Sequence, residues 1–148
     1  YRMSNVLAGI ALGQFELLED RVAARRGVAA RYREGFAGVP GISFMPDPAH
    51  ARNSMWMSCA LVDEAAYGMG SRNLIEALDE ANVTSRPVWK PLHTQALFRR
   101  NEVEGGGVAE TLNRTGICLP SSSNLTPEEQ DFVIECVRNP QRAARASG

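Results

Sequence analysis

The chain has 148 residues, 44% of them hydrophobic and 22% charged, with a formal net charge of −1. That length suits one domain with a core of its own, and the composition is ordinary for a globular protein. So nearly neutral a chain has no overall field to draw nucleic acid or an acidic membrane surface, and any anion recognition must be local. Of its 16 basic side chains only Lys90 is a lysine. Cys59, Cys118 and Cys136 are odd in number and lack metal-ligand spacing, so each reads as a small buried hydrophobe in a reducing, cytoplasmic setting. No apolar run approaches the ~20 residues that cross a bilayer.

Ser4 reads as an N-cap, and the stretch from Asn5 to Phe36 is free of proline and rich in alanine, leucine, arginine and glutamate. It predicts one long connecting helix over residues 1–36, bent near Gly27 and ending at the Gly35–Gly41 breaker cluster. The chain opens on Tyr1 with helix-like sequence close behind, which reads as an excised piece of a longer protein. Residues 37–139 then predict a small α/β domain. Ile42–Met45 is a short strand, and the apolar run Met55–Val62 is a strand covered on both faces. Ser71 caps a helix whose spacing shows at Leu74, Ile75 and Leu78.

Val83–Val88 reads as a further strand, Thr94–Arg100 as a helical turn and Gly105–Gly107 as a flexible loop. A short helix over Ala109–Arg114 leads to a buried strand at Ile117–Pro120. The turn at Ser121–Ser123 has two readings, as a cap closing on the protein or as hydroxyls offered to a ligand. Thr126-Pro127-Glu128-Glu129 carries an N-cap, a proline at N1 and a glutamate at N3, a strong helix start. The apolar stripe of that helix is Phe132, Val133, Cys136 and Val137, and residues 140–148 are expected to fray. The fold class is therefore α+β, a long first helix followed by a three- or four-stranded sheet with helices on one face.

The residues that carry chemistry sit between Ser85 and Phe98. This strip holds one of two tryptophans, one of two histidines and the only lysine, with Pro87 and Pro91 stiffening its backbone. Arg86 can grip a phosphate bidentately and Trp89 can stack on a base or sugar face, so Arg86, Trp89, Lys90 and His93 form the candidate binding edge for an anionic, ring-bearing ligand. In a strand, Arg86 and Val88 would face one way and Trp89 the other. No Gly-x-Ser-x-Gly elbow, phosphate loop or His-Glu-x-x-His pair is present. His50 stands in a polar loop as a solvated residue.

Three segments taken together resemble the DegT/DnrJ/StrS family of pyridoxal-phosphate sugar aminotransferases. They are the opening Tyr1–Ile10 with Gly13-Gln14, the strip Arg86-Pro87-Val88-Trp89-Lys90-Pro91-Leu92-His93-Thr94-Gln95, and Cys118-Leu119-Pro120-Ser121-Ser122. The branch most similar aminates 4-keto nucleotide sugars in bacillosamine-type and exopolysaccharide pathways. The resemblance implies the small C-terminal domain of a fold-type I aminotransferase that works as a homodimer, with glutamate as amino donor. It implies that the Schiff-base lysine for pyridoxal 5'-phosphate lies upstream and that this chain alone is inactive. Arg2 would lie near the cofactor at the dimer's active site, and Arg86, Trp89, Lys90 and His93 would approach the nucleotide sugar. A freestanding, non-catalytic α+β module that binds a nucleotide or sugar is the alternative.

Overall fold

The computed structural model describes residues 2–140. Ser4 caps helix α1, Asn5–Glu16, by accepting from the Leu7 N–H, as its position predicts. Helix α2, Leu18–Gly35, follows after a break at Leu17 and not at Gly27, which lies inside α2 with open space around it. The two helices differ in what they bury. α1 buries nothing and leaves Val6, Leu7, Ile10, Leu12 and Phe15 exposed, whereas α2 sinks Val28, Ala29 and Tyr32 into the core. Tertiary packing therefore holds the second half of the predicted helix straight through its glycine.

Four strands form one antiparallel sheet, β1 (Ile42–Phe44), β2 (Ser58–Val62), β3 (Arg86–Pro87) and β4 (Gly116–Leu119), in the order β1-β2-β4-β3. β2 starts three residues later than the apolar run suggests. Met55 adopts φ 50, with its N–H held by the Asn53 side chain, and this left-handed residue leads Trp56 out into solvent. β2 also alternates between buried and half-buried residues, so one face only is fully covered. On that face Ala60, Val62, Ile117 and Leu119 meet Tyr32 and Phe36 of α2, Leu74 and Leu78 of α4 (Ser71–Glu80), and Val133 and Val137 of α6 (Pro127–Arg138). Helices thus cover one face of the sheet.

Helix α3, Glu64–Tyr67, is capped by Asp63 and ends at Gly68. α4 takes Gly70 as its cap, because the Ser71 hydroxyl is spent on the Arg114 carbonyl at 2.6 Å. Between β3 and helix α5, Gly107–Thr115, the chain makes two 3₁₀ turns, Leu92–Thr94 and Ala96–Phe98. α6 carries the complete capping box read from its sequence. Its buried face is Val133, Ile134, Cys136 and Val137, while Phe132 points outward, a quarter-turn from the expected stripe. Of the tail expected to fray, residues 141–148 lie outside the described residues, as does Tyr1. No helix among the described residues is long and apolar enough to cross a membrane.

Candidate functional site

The register of the sheet builds the floor of the site. Cys118 of β4 pairs with Cys59 of β2 on one side and with Arg86 of β3 on the other. Side chains alternate along a strand, so these three form a row on the face opposite Ala60 and Ile117, away from the helices. The two thiols lie 3.5 Å apart. Burial, reinforced by Cys59, pushes the Cys118 thiol up to about 12, which leaves it an inert neutral group at neutral pH. Burial and then the nearby Glu135 raise Cys136 as well.

β3 is only two residues long because Pro87 brings no N–H to the ladder. The last rung is the Val88 N–H to the Gly116 carbonyl at 3.4 Å. Gly116 has to be glycine here, since a Cβ would stand 2.4 Å from the Leu112 carbonyl oxygen and 2.5 Å from Val88. Beyond this rung the strict alternation of a strand lapses. Arg86, Trp89 and Lys90 accordingly face one cleft of about 560 Å³, joined by Arg72, Asn113 and Cys118. The expected separation of Arg86 from Trp89 is not kept. Three cations and an indole line this cleft, with no carboxylate among the described lining residues. Such a wall suits an anion carrying a flat ring.

Trp89 is 62% exposed and leans on Trp56, itself 60% exposed, with ring centroids 5.8 Å apart and planes at 32°. Arg25 of α2 holds the backbone beneath Trp56, donating to the Trp56 carbonyl at 2.7 Å and to the Ser121 carbonyl at 3.1 Å. A smaller cavity of about 170 Å³ lies behind the two indoles, bounded also by Phe44 and Cys59.

His93 stands elsewhere. Its ring is 21% exposed, and Nε2 donates to Glu110 Oε1 of α5 at 2.8 Å. It is not among the residues that line the 560 Å³ cleft. Gly106, the N-cap of α5, makes room for the ring: at φ 107, its Cβ would come within 3.1 Å of the imidazole. The glycine run is thus a fitted turn and not merely a flexible one. Arg2 is exposed ahead of α1 and lines neither cleft, and His50 is exposed in its loop. The serine turn closes on the protein, with Ser121 Oγ accepting from the Ser58 N–H at 2.8 Å and donating to the Leu119 carbonyl at 2.7 Å.

Arg72, Asn113, Glu110 and Trp56 were not foreseen. Arg72 and Asn113 carry no local signal, since one is an ordinary second residue of a helix and the other a mid-helix polar residue. Trp56 had one, as the other tryptophan at the mouth of an apolar run. Among the described residues no group of three or more His, Cys, Asp or Glu is placed to hold a metal. Nor do these residues fit pyridoxal phosphate by themselves. The sole lysine, Lys90, is exposed between two prolines, without the shielding that a Schiff-base lysine needs.

The small sheet with its one-sided helices makes an α+β domain whose fold is shared with aminotransferases of known structure. A crystal structure of a DegT DnrJ EryC1 StrS aminotransferase from Brucella abortus matches with a TM-score of 0.80 and 26% identity, covering 93% of this chain and 36% of that one. DesI, crystallised in the presence of its TDP-sugar product, shares the fold with a TM-score of 0.85 at 23% identity, over 98% of this chain and 37% of its own. Residues 1–138 match the DegT/DnrJ/EryC1/StrS aminotransferase family, and the chain belongs to that family. EpsN of Bacillus subtilis strain 168, assigned as a pyridoxal phosphate-dependent aminotransferase, is 41% identical over 140 residues, 91% of this chain and 35% of its own length. GDP-perosamine synthase of Caulobacter vibrioides is 30% identical over 135 residues, 90% of this chain and 36% of its own. The chain therefore spans little more than a third of the relatives it matches.

Proposed function

We propose that this chain supplies the small C-terminal domain of a cytoplasmic, homodimeric, pyridoxal phosphate-dependent aminotransferase that moves an amino group from glutamate to a 4-keto nucleotide sugar. The observation that carries this reading is the carboxylate-free cleft in which Arg86, Lys90 and Arg72 surround the exposed Trp89. A nucleoside-diphosphate sugar presents the two features that such a wall recognises, a dense negative charge and flat rings. The family and the sugar-modifying relatives favour the same chemistry.

The cofactor, when bound, supplies the electron sink for amino transfer, and in this reading its lysine lies in sequence outside this chain. The chain's own residues bind and orient the sugar substrate: Arg86 and Lys90 meet its charge, and Trp89 gives a ring face. His93, turned to Glu110 outside the cleft, anchors the end of the strip in this reading, and Arg2 contributes from ahead of α1 toward the cofactor of the assembled dimer. The apolar α1, left uncovered by the described residues, favours a domain that works against further protein surface over a freestanding module.

The test uses the full-length protein with glutamate and a UDP-4-keto sugar, following 2-oxoglutarate release. Steady production dependent on both substrates is expected. Arg86→Ala and Trp89→Ala should each raise the KM for the sugar by about tenfold, the factor for losing roughly 1.4 kcal/mol of contact, with the KM for glutamate unchanged. No amino transfer to any keto sugar by the cofactor-loaded protein would sink the assignment. Tight calorimetric binding of a UDP-sugar by residues 1–148 alone would favour the freestanding module.

A further inference from the structure

The strip is poorly served by the sheet that carries it. Pro87 and Pro91 remove two N–H donors, and β3 ends at Pro87 with one long rung beyond it. Something else has to hold Trp89 and Lys90 in place. Helix α5 does so at two points. Asn113 Nδ2 donates to the Val88 carbonyl just before Trp89, and Glu110 accepts from His93 Nε2 three residues after Lys90. Glu110 and Asn113 are three apart in a helix and so lie on one face, which turns that face into a splint across the strip.

The splint is itself braced. Arg72 of α4 donates to the Asn113 carbonyl at 3.0 Å and to Asn113 Oδ1 at 3.4 Å. A donor on one side and a carbonyl acceptor on the other define which way the Asn113 amide points. Within the strip, Gln95 Nε2 donates to the Lys90 carbonyl at 3.2 Å, and the Thr94 hydroxyl donates to the Pro91 carbonyl at 2.8 Å. The backbone is thus tied down on both sides of two side chains that remain free to meet a ligand.

We propose that Glu110 and Asn113 are positioning residues that set the path of the Val88–His93 backbone, and through it the shape of the cleft formed by Arg86, Trp89 and Lys90. That they thereby tune sugar binding rests on the function proposed above. Neither residue need touch the substrate. Asn113 acts as a donor and Glu110 as an acceptor, which makes their conservative variants informative.

The experiment measures amide hydrogen exchange and steady-state kinetics on the full-length protein carrying Asn113→Ala, Asn113→Asp, Glu110→Ala or Glu110→Gln. Exchange across residues 86–95 is expected to speed up by about fivefold in the first three, the factor that one ordinary hydrogen bond is worth. Glu110→Gln, which keeps an acceptor, should stay near the unsubstituted protein. Exchange across residues 127–138 should not change, and the KM for a UDP-4-keto sugar should rise while that for glutamate holds. Unchanged exchange at 86–95 in Asn113→Asp and Glu110→Ala overturns the splint, as does faster exchange everywhere, which would mark a general loss of stability. Faster local exchange with an unchanged sugar KM supports the splint and counts against the strip as a substrate wall.

Discussion

Tyr32 shows how one side chain can join the ends of a fold. It is fully buried, stacks on Phe36 at 5.8 Å, and donates its hydroxyl to the Pro120 carbonyl at 2.9 Å. The ring fills the space between α2 and the sheet, and the hydroxyl satisfies a carbonyl where β4 turns toward α6. Tyr32→Phe keeps the ring and orphans that carbonyl, so it should cost about 1–2 kcal/mol, read as a lower urea midpoint with an unchanged slope. The sequence places Tyr32 only within a predicted long helix. Its partner 88 residues away is a property of the packed chain alone. The same holds at the site, where Arg86, Trp89 and Lys90 stood out in the sequence as unlike their surroundings, and Asn113 and Glu110 did not.

Among the elements, α6 is the one whose local code is most complete. Thr126 accepts from the Glu129 N–H at 3.2 Å, and the Glu129 carboxylate accepts from the Thr126 N–H at 2.8 Å, with Pro127 in the first turn. Thr126→Ala removes one half of this box and leaves a helix N–H without its partner. It should destabilise the protein by about 1 kcal/mol, and Thr126→Ser should restore most of that in the same thermal or urea unfolding measurement. By contrast, β3 has almost no local code. Residues 83–86 alternate buried and exposed as a strand would, yet only Arg86 and Pro87 join the ladder, and Pro87 brings it no N–H. α5 compensates from across the chain, which is why the strip reads in sequence as a stiff segment and in structure as a supported one.

At the scale of the whole molecule, the buried protons make stability depend on alkaline pH. Burial raises Cys118 from 9.0 to about 12, raises Tyr67 from 10.0 to about 12, and pushes the Tyr32 phenol above its usual range. All three are held as neutral acids in the fold, and the unfolded chain releases those protons first. Their contribution is fully present below about pH 9 and is lost progressively as pH rises from 9 toward 12 and beyond. The urea midpoint should therefore hold steady up to about pH 9 and fall above it, and Cys118→Ala should remove the earliest part of that decline. A midpoint that rises between pH 9 and 11 would contradict the burial of these groups.

Sequence alone determined the local grammar of this protein: the caps at Ser4 and Thr126, the turn signals, the apolar runs, the α+β order, and the strip where unusual residues gather between prolines. These follow from short-range physics, in which propensity, capping and the geometry of proline act within a few residues. Only the tertiary structure decided that Gly27 stays helical, that Phe132 faces outward, that Cys59, Cys118 and Arg86 share a row, and that His93 turns to Glu110 while its neighbours open on a cleft. Those outcomes depend on sheet register and on helices packing across 17 to 100 residues of chain, as the His93–Glu110 and Arg31–Asp131 pairs show. No window along the sequence contains both partners of such a contact, so its energy appears only when the chain has closed on itself.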